Sequence, residues 1–550
     1  MLQGVVHDPT ARRLGGVAGH AGLFSSGDDL AKFAQSLLDG SSILSPLSIE
    51  KMTTPQQPPN APTLRGLGWD IDSPFSSNRG ELLPVGSFGH TGFTGTSLWI
   101  DPLTRTYIVL LTNAVHPRGQ GSVVSLRGKI STTVAAALPL TVAEDLIGRG
   151  NTITGYNEAM VAERHLASRN GSVETGIDVL ESEGFAPLRG KRIGLLTNQT
   201  GFDSTGQRTI DVLAHAPSVH LTAIFSPEHG VTGTLDTTQI ENSRDASTGI
   251  PVYSLYGPNE QSRRPPIDVL RQLDAIVIDL ADAGVRFYTY ETSVGYMLEA
   301  AAKASTSVLV LDRPNPITGS FIQGPMSEAG RESFVNYGPI PVRHGMTLGE
   351  LAGMFNQEHH LQAKLTVVPM RGWMRGDWFD SSGLEWRNPS PNLRSLTEAV
   401  LYPGVALVEG TNISVGRGTD TPFELLGAPW IKSRELAGFL NARQIPGIRF
   451  VAARFTPSSS NYAGQTCQGV NLIITQREFL DSPELGMELA AALIKLYPAQ
   501  FHVEKIIDIL ANQAVYDGLI RGEDPHRLAL EWQDELRRFS QVRERYLLYK

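Results

Sequence analysis

Between residues 173 and 365 the chain alternates short, near-continuous apolar runs with segments of helical periodicity, and this rhythm restricts the fold more than any other feature. Residues 192–198, 219–225, 275–279 and 307–312 read as strands, with helices expected at 209–216, 267–273 and 293–304. Strands that are apolar at almost every position are buried on both faces, which calls for a parallel sheet covered by helices. In such sheets ligands bind at the carboxyl ends of the strands. The four expected strands finish on Asn198, on Ser226 with Glu228, on Asp279 and on Asp312, so these groups are expected along one edge. Asp and Asn also cap turns at such places. Glu is a poor cap, and Gly230 frees the backbone beside it, so Glu228 in Ser226-Pro227-Glu228-His229-Gly230 is the strongest candidate for chemistry.

Composition excludes several functions. With 47 basic against 56 acidic residues, a net charge of -9 and no basic run, a nucleic-acid surface is not expected. A single cysteine, Cys467, leaves neither an intramolecular disulfide nor a structural zinc site. No apolar run approaches the roughly 20 residues that span a bilayer. No Gly-x-Gly-x-x-Gly or phosphate loop follows any expected strand, so no cofactor is expected, and no metal.

At 550 residues the chain holds more than one domain. Residues 1–140 contain an expected helix at 28–38 and two antiparallel strands at 96–102 and 106–113; residues 141–172 read as a linker. A parallel-sheet domain over 173–365 and a smaller α/β domain over 366–550 follow, the latter closing on a charged helix at 528–543. The N-terminus opens on loop-like text without a signal peptide, and the chain is expected to start inside a domain.

Three further segments concentrate binding chemistry. Arg286, Phe287, Tyr288, Tyr290 and Glu291 crowd six positions; aromatic faces stack on sugar rings, and an arginine makes bidentate contacts with carboxylates. The loops at 341–347, with Arg343 and His344, and at 409–419, with Glu409, Asn412 and Arg417, are rich in hydrogen-bonding groups held by glycines.

Ser226-Pro227-Glu228-His229-Gly230, Gly284-Val285-Arg286-Phe287-Tyr288-Thr289-Tyr290 and Leu311-Asp312-Arg313-Pro314-Asn315-Pro316 resemble the bacterial exo-β-N-acetylmuramidases of the NamZ type. So do Pro341-Val342-Arg343-His344-Gly345-Met346, Pro389-Ser390-Pro391-Asn392-Leu393, Glu409-Gly410-Thr411-Asn412 and Gly416-Arg417-Gly418-Thr419. The resemblance implies a Rossmann-like domain, a smaller C-terminal α/β domain, and an active site between them that releases N-acetylmuramic acid from the non-reducing end of peptidoglycan fragments. It carries the catalytic role onto Glu228. Glycoside hydrolysis needs a second group, for which Glu291, Asp312, Glu409 and Glu424 are candidates. The lactyl carboxylate of muramic acid calls for an arginine, with Arg286, Arg343 and Arg417 as candidates. Asn198, His229, Tyr288, Tyr290, Arg313, Asn315, His344, Asn392 and Asn412 complete the expected binding set. The partners implied are peptidoglycan-derived muropeptides or disaccharides, in a periplasmic or extracellular setting.

Gly19-His20-Ala21-Gly22-Leu23-Phe24-Ser25 and His90-Thr91-Gly92-Phe93-Thr94-Gly95-Thr96 resemble the later half of a serine β-lactamase-like domain. His90-Thr91-Gly92 stands where that family has its strand motif, but the preceding Ser-x-x-Lys nucleophile is missing. Ser48-Ile49-Glu50-Lys51 fits the pattern yet follows the first helix instead of opening the domain. Residues 1–140 are therefore expected to be a truncated α+β remnant. Serine hydrolase activity of this region, and a non-catalytic muropeptide-binding role for the whole chain, are the alternatives.

Overall fold

The computed structural model describes residues 4–40, 43–56, 63–73, 76–80, 82–84, 86–116, 123–138, 171–235, 237 and 239–549. The chain divides into two compact units, Met1–Ser168 and Arg169–Lys550. The linker expected at 141–172 lies, up to residue 170, outside the described residues.

In the first unit, β1 (Leu64–Arg65), β2 (Asp70–Asp72), β3 (Phe88–Thr91), β4 (Ser97–Asp101) and β5 (Thr106–Leu110) form an antiparallel sheet in chain order. The two strands expected from the sequence are β4 and β5. Helix Gly27–Asp39 starts on Ser26, whose hydroxyl oxygen accepts from the Asp29 N–H. Its Ala34 and Leu37 pack with Ile49, Trp69, Ile71, Phe88 and Ile100. Ser48 lies exposed in the first turn of helix Pro46–Thr53, its Oγ 2.9 Å from that of the capping Ser45. That is a capping turn and not a nucleophile's setting.

The second unit is organised by a seven-stranded sheet of β6 (Arg192–Thr197), β7 (His220–Ser226), β8 (Ser243–Arg244), β9 (Pro251–Ser254), β10 (Ala275–Asp279), β11 (Ser307–Leu311) and β14 (Leu365–Val368). The order is β14-β11-β10-β6-β7-β9-β8, with only β8 antiparallel to its neighbour. Every residue of β10 is buried, as a strand covered on both faces requires. β9, which lies between β7 and β8, and the edge strand β14 are half-exposed and break the apolar rhythm, which is why only four strands were expected. The domain boundary expected at 365 falls inside β14.

β12 (Gln323–Met326) and β13 (Pro341–Arg343) form a small antiparallel ribbon. β15 (Leu425–Ala428), β16 (Ile448–Phe455) and β17 (Cys467–Ile474) form an antiparallel sheet in the order β15-β17-β16. Helices Leu396–Val405 and Ser482–Leu496 cross at Gly404 and Gly486, where a Cβ on Gly404 would stand 1.9 Å from the Ser482 carbonyl oxygen. The single helix expected at 528–543 is two, Pro525–Glu531 and Gln533–Arg543, broken at Trp532.

Several side chains expected at the substrate are scaffold instead. Arg286 is fully buried: Nη1 donates to the Pro325 and Ile340 carbonyls, each at 2.9 Å, and Nη2 to those of Leu510 (2.7 Å) and Ile509 (3.2 Å). It ties β12 and the approach to β13 to the C-terminal end of helix Ile506–Leu510, where carbonyls lack partners. Burial lowers its pKa to about 9. Arg343, also buried, donates to Gln323 (2.8 Å) and the Ile317 carbonyl and stacks on Phe321 and Trp378. Asn315 is buried and bridges the Met346 carbonyl (2.9 Å) and the Ile317 N–H (3.1 Å). Asp312 accepts from Thr347 Oγ1 (2.7 Å), the Gly349 N–H (2.8 Å) and the Tyr549 hydroxyl (2.6 Å), joining a helix start to the end of the chain. None of the four lines the cavities described below.

Replacing Arg286 by Met removes its four hydrogen bonds to carbonyls, of which that of Ile340 keeps the Ser327 N–H, and is expected to cost about 3–5 kcal/mol. Urea denaturation checks this; a variant as stable as the native chain would contradict the scaffold role. Burial raises Asp312 from the usual 3.8 to about 6, so the folded state holds its proton more tightly than the unfolded one. Stability is therefore lost as pH rises between these values. The native chain should lose stability relative to Asp312→Asn from pH ~4 to ~6, measured by urea melts across that window.

Candidate active site

Glu228 follows β7 directly, on a turn in which His229 (φ 70°) and Gly230 (φ 75°) both adopt the left-handed conformation. Glycine enters that region freely and His more readily than most residues, so the sequence Glu-His-Gly suits the bend. The bend turns Glu228 toward the N-terminus of helix Thr289–Ala304. Thr289 Oγ1 donates to Glu228 Oε2 at 2.6 Å, which fixes one carboxylate oxygen. Glu228 stays half-buried and lines an open cavity of about 590 Å3 shared with Tyr256, Arg263, Thr289, Arg331 and Phe334. His229 Nδ1 donates to the Leu235 carbonyl at 2.8 Å and serves the turn.

The helix expected to begin at Ser293 begins at Thr289, and its first turn carries the aromatic cluster. Tyr288 and Tyr290 meet edge-to-face at 4.7 Å, and Tyr402 closes on Tyr288 at 6.3 Å. Tyr290 donates to the Pro389 carbonyl at 3.0 Å, and Tyr288 is buried with its hydroxyl unpartnered. Burial raises the pKa of Tyr402, and the charges of Glu409, Glu228 and Asp282 push it further while Arg417 opposes them. These carboxylates therefore surround one tyrosine. Glu409 is ion-paired with Arg417, and both are about three-quarters buried.

Behind the tyrosines lies a buried group that the sequence did not join: Asp282, Glu291 and His344. One atom from each falls within 4.8 Å of the others. His344 Nε2 lies 2.8 Å from Glu291 Oε1 and 3.5 Å from Asp282 Oδ2. Neither Glu291 oxygen has an aligned hydrogen bond, and burial raises its pKa to about 7. Burial works to lower His344, but the neighbouring Glu291 and Asp282 outweigh it and raise it. The Met346 N–H donates into Nδ1 at 3.1 Å, which puts the ring's proton on Nε2, facing the carboxylates. In that tautomer Nε2 offers no lone pair to a metal. Glu291, expected as a catalytic group, is 1% exposed and lines none of the cavities described for this unit.

The remaining candidates are spread out. Arg313 makes a bidentate pair with Asp279 (2.5 and 2.9 Å) and lines a second cavity of about 510 Å3 with Asp282, Phe202 and Trp386. Asn198 forms a turn with Thr200, its Nδ2 buried and unpartnered. Asn392 is buried in the loop after Pro389. Asn412 staples the Gln500 carbonyl and the His502 N–H and is structural. Burial raises Glu424, which stands near Glu398. In the first unit, His90 Nε2 accepts from Arg65 (3.0 Å), so Nδ1 carries the proton toward the Thr91 carbonyl (2.9 Å); Arg127 holds the Gly92 carbonyl at 2.9 Å.

Comparison with known proteins identifies the chain's relatives. The family model for the N-terminal part of exo-beta-N-acetylmuramidase NamZ matches residues 193–397, and that for its C-terminal part matches 400–549. The chain is 40% identical over 402 residues to the peptidoglycan beta-N-acetylmuramidase NamZ of Bacillus subtilis, covering 72% of this chain and 96% of that protein. It also resembles a crystal structure of a DUF1343 family protein from Bacteroides fragilis, with TM-score 0.64, 34% identity, and 69% and 99% of the two chains covered. Residues 2–125 match the beta-lactamase family model. There the chain is 38% identical over 122 residues to a putative D-alanyl-D-alanine carboxypeptidase of Escherichia coli, spanning 28% of that protein's length. With 40% identity across nearly the whole length of a relative, and with both halves of the family matched, the chain belongs to the exo-β-N-acetylmuramidase NamZ family and is a glycosidase carrying a β-lactamase-like domain at its N-terminus.

Proposed function

We propose that this glycosidase releases N-acetylmuramic acid from the non-reducing end of peptidoglycan fragments during cell-wall turnover, with Glu228 as the catalytic acid/base. The observation that carries the reading is the setting of Glu228: a carboxylate at a strand end, one oxygen held by Thr289, lining an open cavity. Family membership supplies the substrate class. We also read the large sheet as Rossmann-like. Its six parallel strands, counted among themselves, run 3-2-1-4-5-6, the order of doubly wound nucleotide-binding sheets, here without their glycine fingerprint. Ligands of such sheets bind beyond the carboxyl ends of the strands, where Glu228 stands.

In the reaction the carboxylic acid of Glu228 gives its proton to the glycosidic oxygen as the bond to the anomeric carbon breaks, and water supplies the hydroxyl of the released sugar. We assign the second role to Glu409. Arg417 holds its carboxylate in place, and its charge, like that of Glu228, is felt at Tyr402. Glu291 and Asp312 are closed off, and Glu424 faces another carboxylate.

Turnover of a muramyl-glucosamine disaccharide should fall about 10²–10⁴-fold in Glu228→Gln, with unchanged melting temperature. Glu409→Gln should lose a comparable factor. Undiminished turnover in Glu228→Gln would remove that residue from the chemistry.

A further inference from the structure

All three arginines expected to hold the muramyl carboxylate are committed elsewhere: Arg286 to four carbonyls, Arg343 to Gln323 and two aromatic rings, Arg417 to Glu409. A different arginine lines the cavity that Glu228 lines. Arg263 closes the short turn Gln261–Arg263, and its Nε donates to the Gly257 carbonyl at 2.9 Å. Its guanidinium carbon sits 4.4 Å from the centroid of Phe334 and 5.9 Å from that of Tyr256. Those two rings lie 6.0 Å apart, so the guanidinium packs against Phe334 with Tyr256 to one side.

Its neighbours show how unusual this is. Arg264 is paired with Glu260 at 2.7 Å and Glu299 at 2.5 Å, and Arg331 with Glu328 at 3.0 Å. Among the described residues Arg263 has no ion-pair partner, which leaves both Nη nitrogens unclaimed. The acidic groups on the same cavity are engaged: Glu332 accepts from the Gly330 N–H, and Asp508 is paired with Lys505.

We infer that Arg263 is a specificity residue that binds the lactyl carboxylate of the muramyl unit while Glu228 addresses its glycosidic oxygen. The inference rests on the proposed reaction. A planar guanidinium with two free nitrogens makes a bidentate pair with a carboxylate, and the hydrogen bond to Gly257 and the contact with Phe334 fix its position. N-acetylglucosamine lacks the lactyl ether, so the same cavity distinguishes the two sugars by one charge-assisted contact.

The test uses the full chain and 4-nitrophenyl β-N-acetylmuramide, together with its analogue whose lactyl carboxylate is converted to the neutral primary amide. Native protein should show a KM roughly 10- to 100-fold higher for the amide, the factor expected for hydrogen bonds to a charged group. Arg263→Gln should raise KM for the acid by a similar factor, leave KM for the amide within about twofold, and place the loss in KM more than in kcat. Should Arg263→Gln fold poorly, the comparison of acid with amide on native protein carries the test alone. Equal KM values for acid and amide on native protein, or an unchanged KM for the acid in Arg263→Gln, would overturn the assignment. Failure of native protein to cleave either substrate would instead overturn the reaction on which it rests.

Discussion

The hydrogen bond from Thr289 to Glu228 is the contact on which the proposed site depends, because it joins two elements far apart in the chain at the carboxylate proposed as the acid. β7 delivers the carboxylate and helix Thr289–Ala304 delivers the hydroxyl, so the geometry of the acid is set by how that helix packs against the sheet. The helix is buried along most of its length, unlike an ordinary surface helix with one apolar stripe. A deeply packed helix cannot shift without disturbing the core, and its first residue therefore holds a fixed position relative to the strand ends.

Polar burial around this contact is extensive. Arg286, Arg343 and Asp312 each gather several partners from segments distant in sequence, and the Asp282–Glu291–His344 group sits beneath the tyrosines. Desolvating these groups is costly unless they are well partnered. Their effect is to lock irregular loops, which carry few backbone hydrogen bonds of their own, into the frame around the cavity.

The parallel sheet was legible in the sequence because β6, β7, β10 and β11 are nearly all apolar, and Glu228 was legible because it ends such a strand between Pro227 and Gly230. β9 and β14 were not, since half-exposed strands of four residues leave no continuous run. The roles of the arginines were hidden for a different reason. A guanidinium in a motif looks available until the fold brings carbonyls to it, and Leu510, which Arg286 binds, lies 224 residues away. Arg263 shows the converse: it sits in plain polar text, and only the fold brings Phe334 and Tyr256 beside it.

The central claim, that Glu228 supplies the proton to the leaving oxygen, is tested most directly by varying the leaving group. Rates of native protein and Glu228→Gln should be compared on muramides whose leaving groups run from an acidic dinitrophenol to a sugar alcohol. Loss of a general acid should matter little when the leaving group needs no proton and should grow steadily as it becomes more basic. A deficit that is the same for every leaving group would contradict the account.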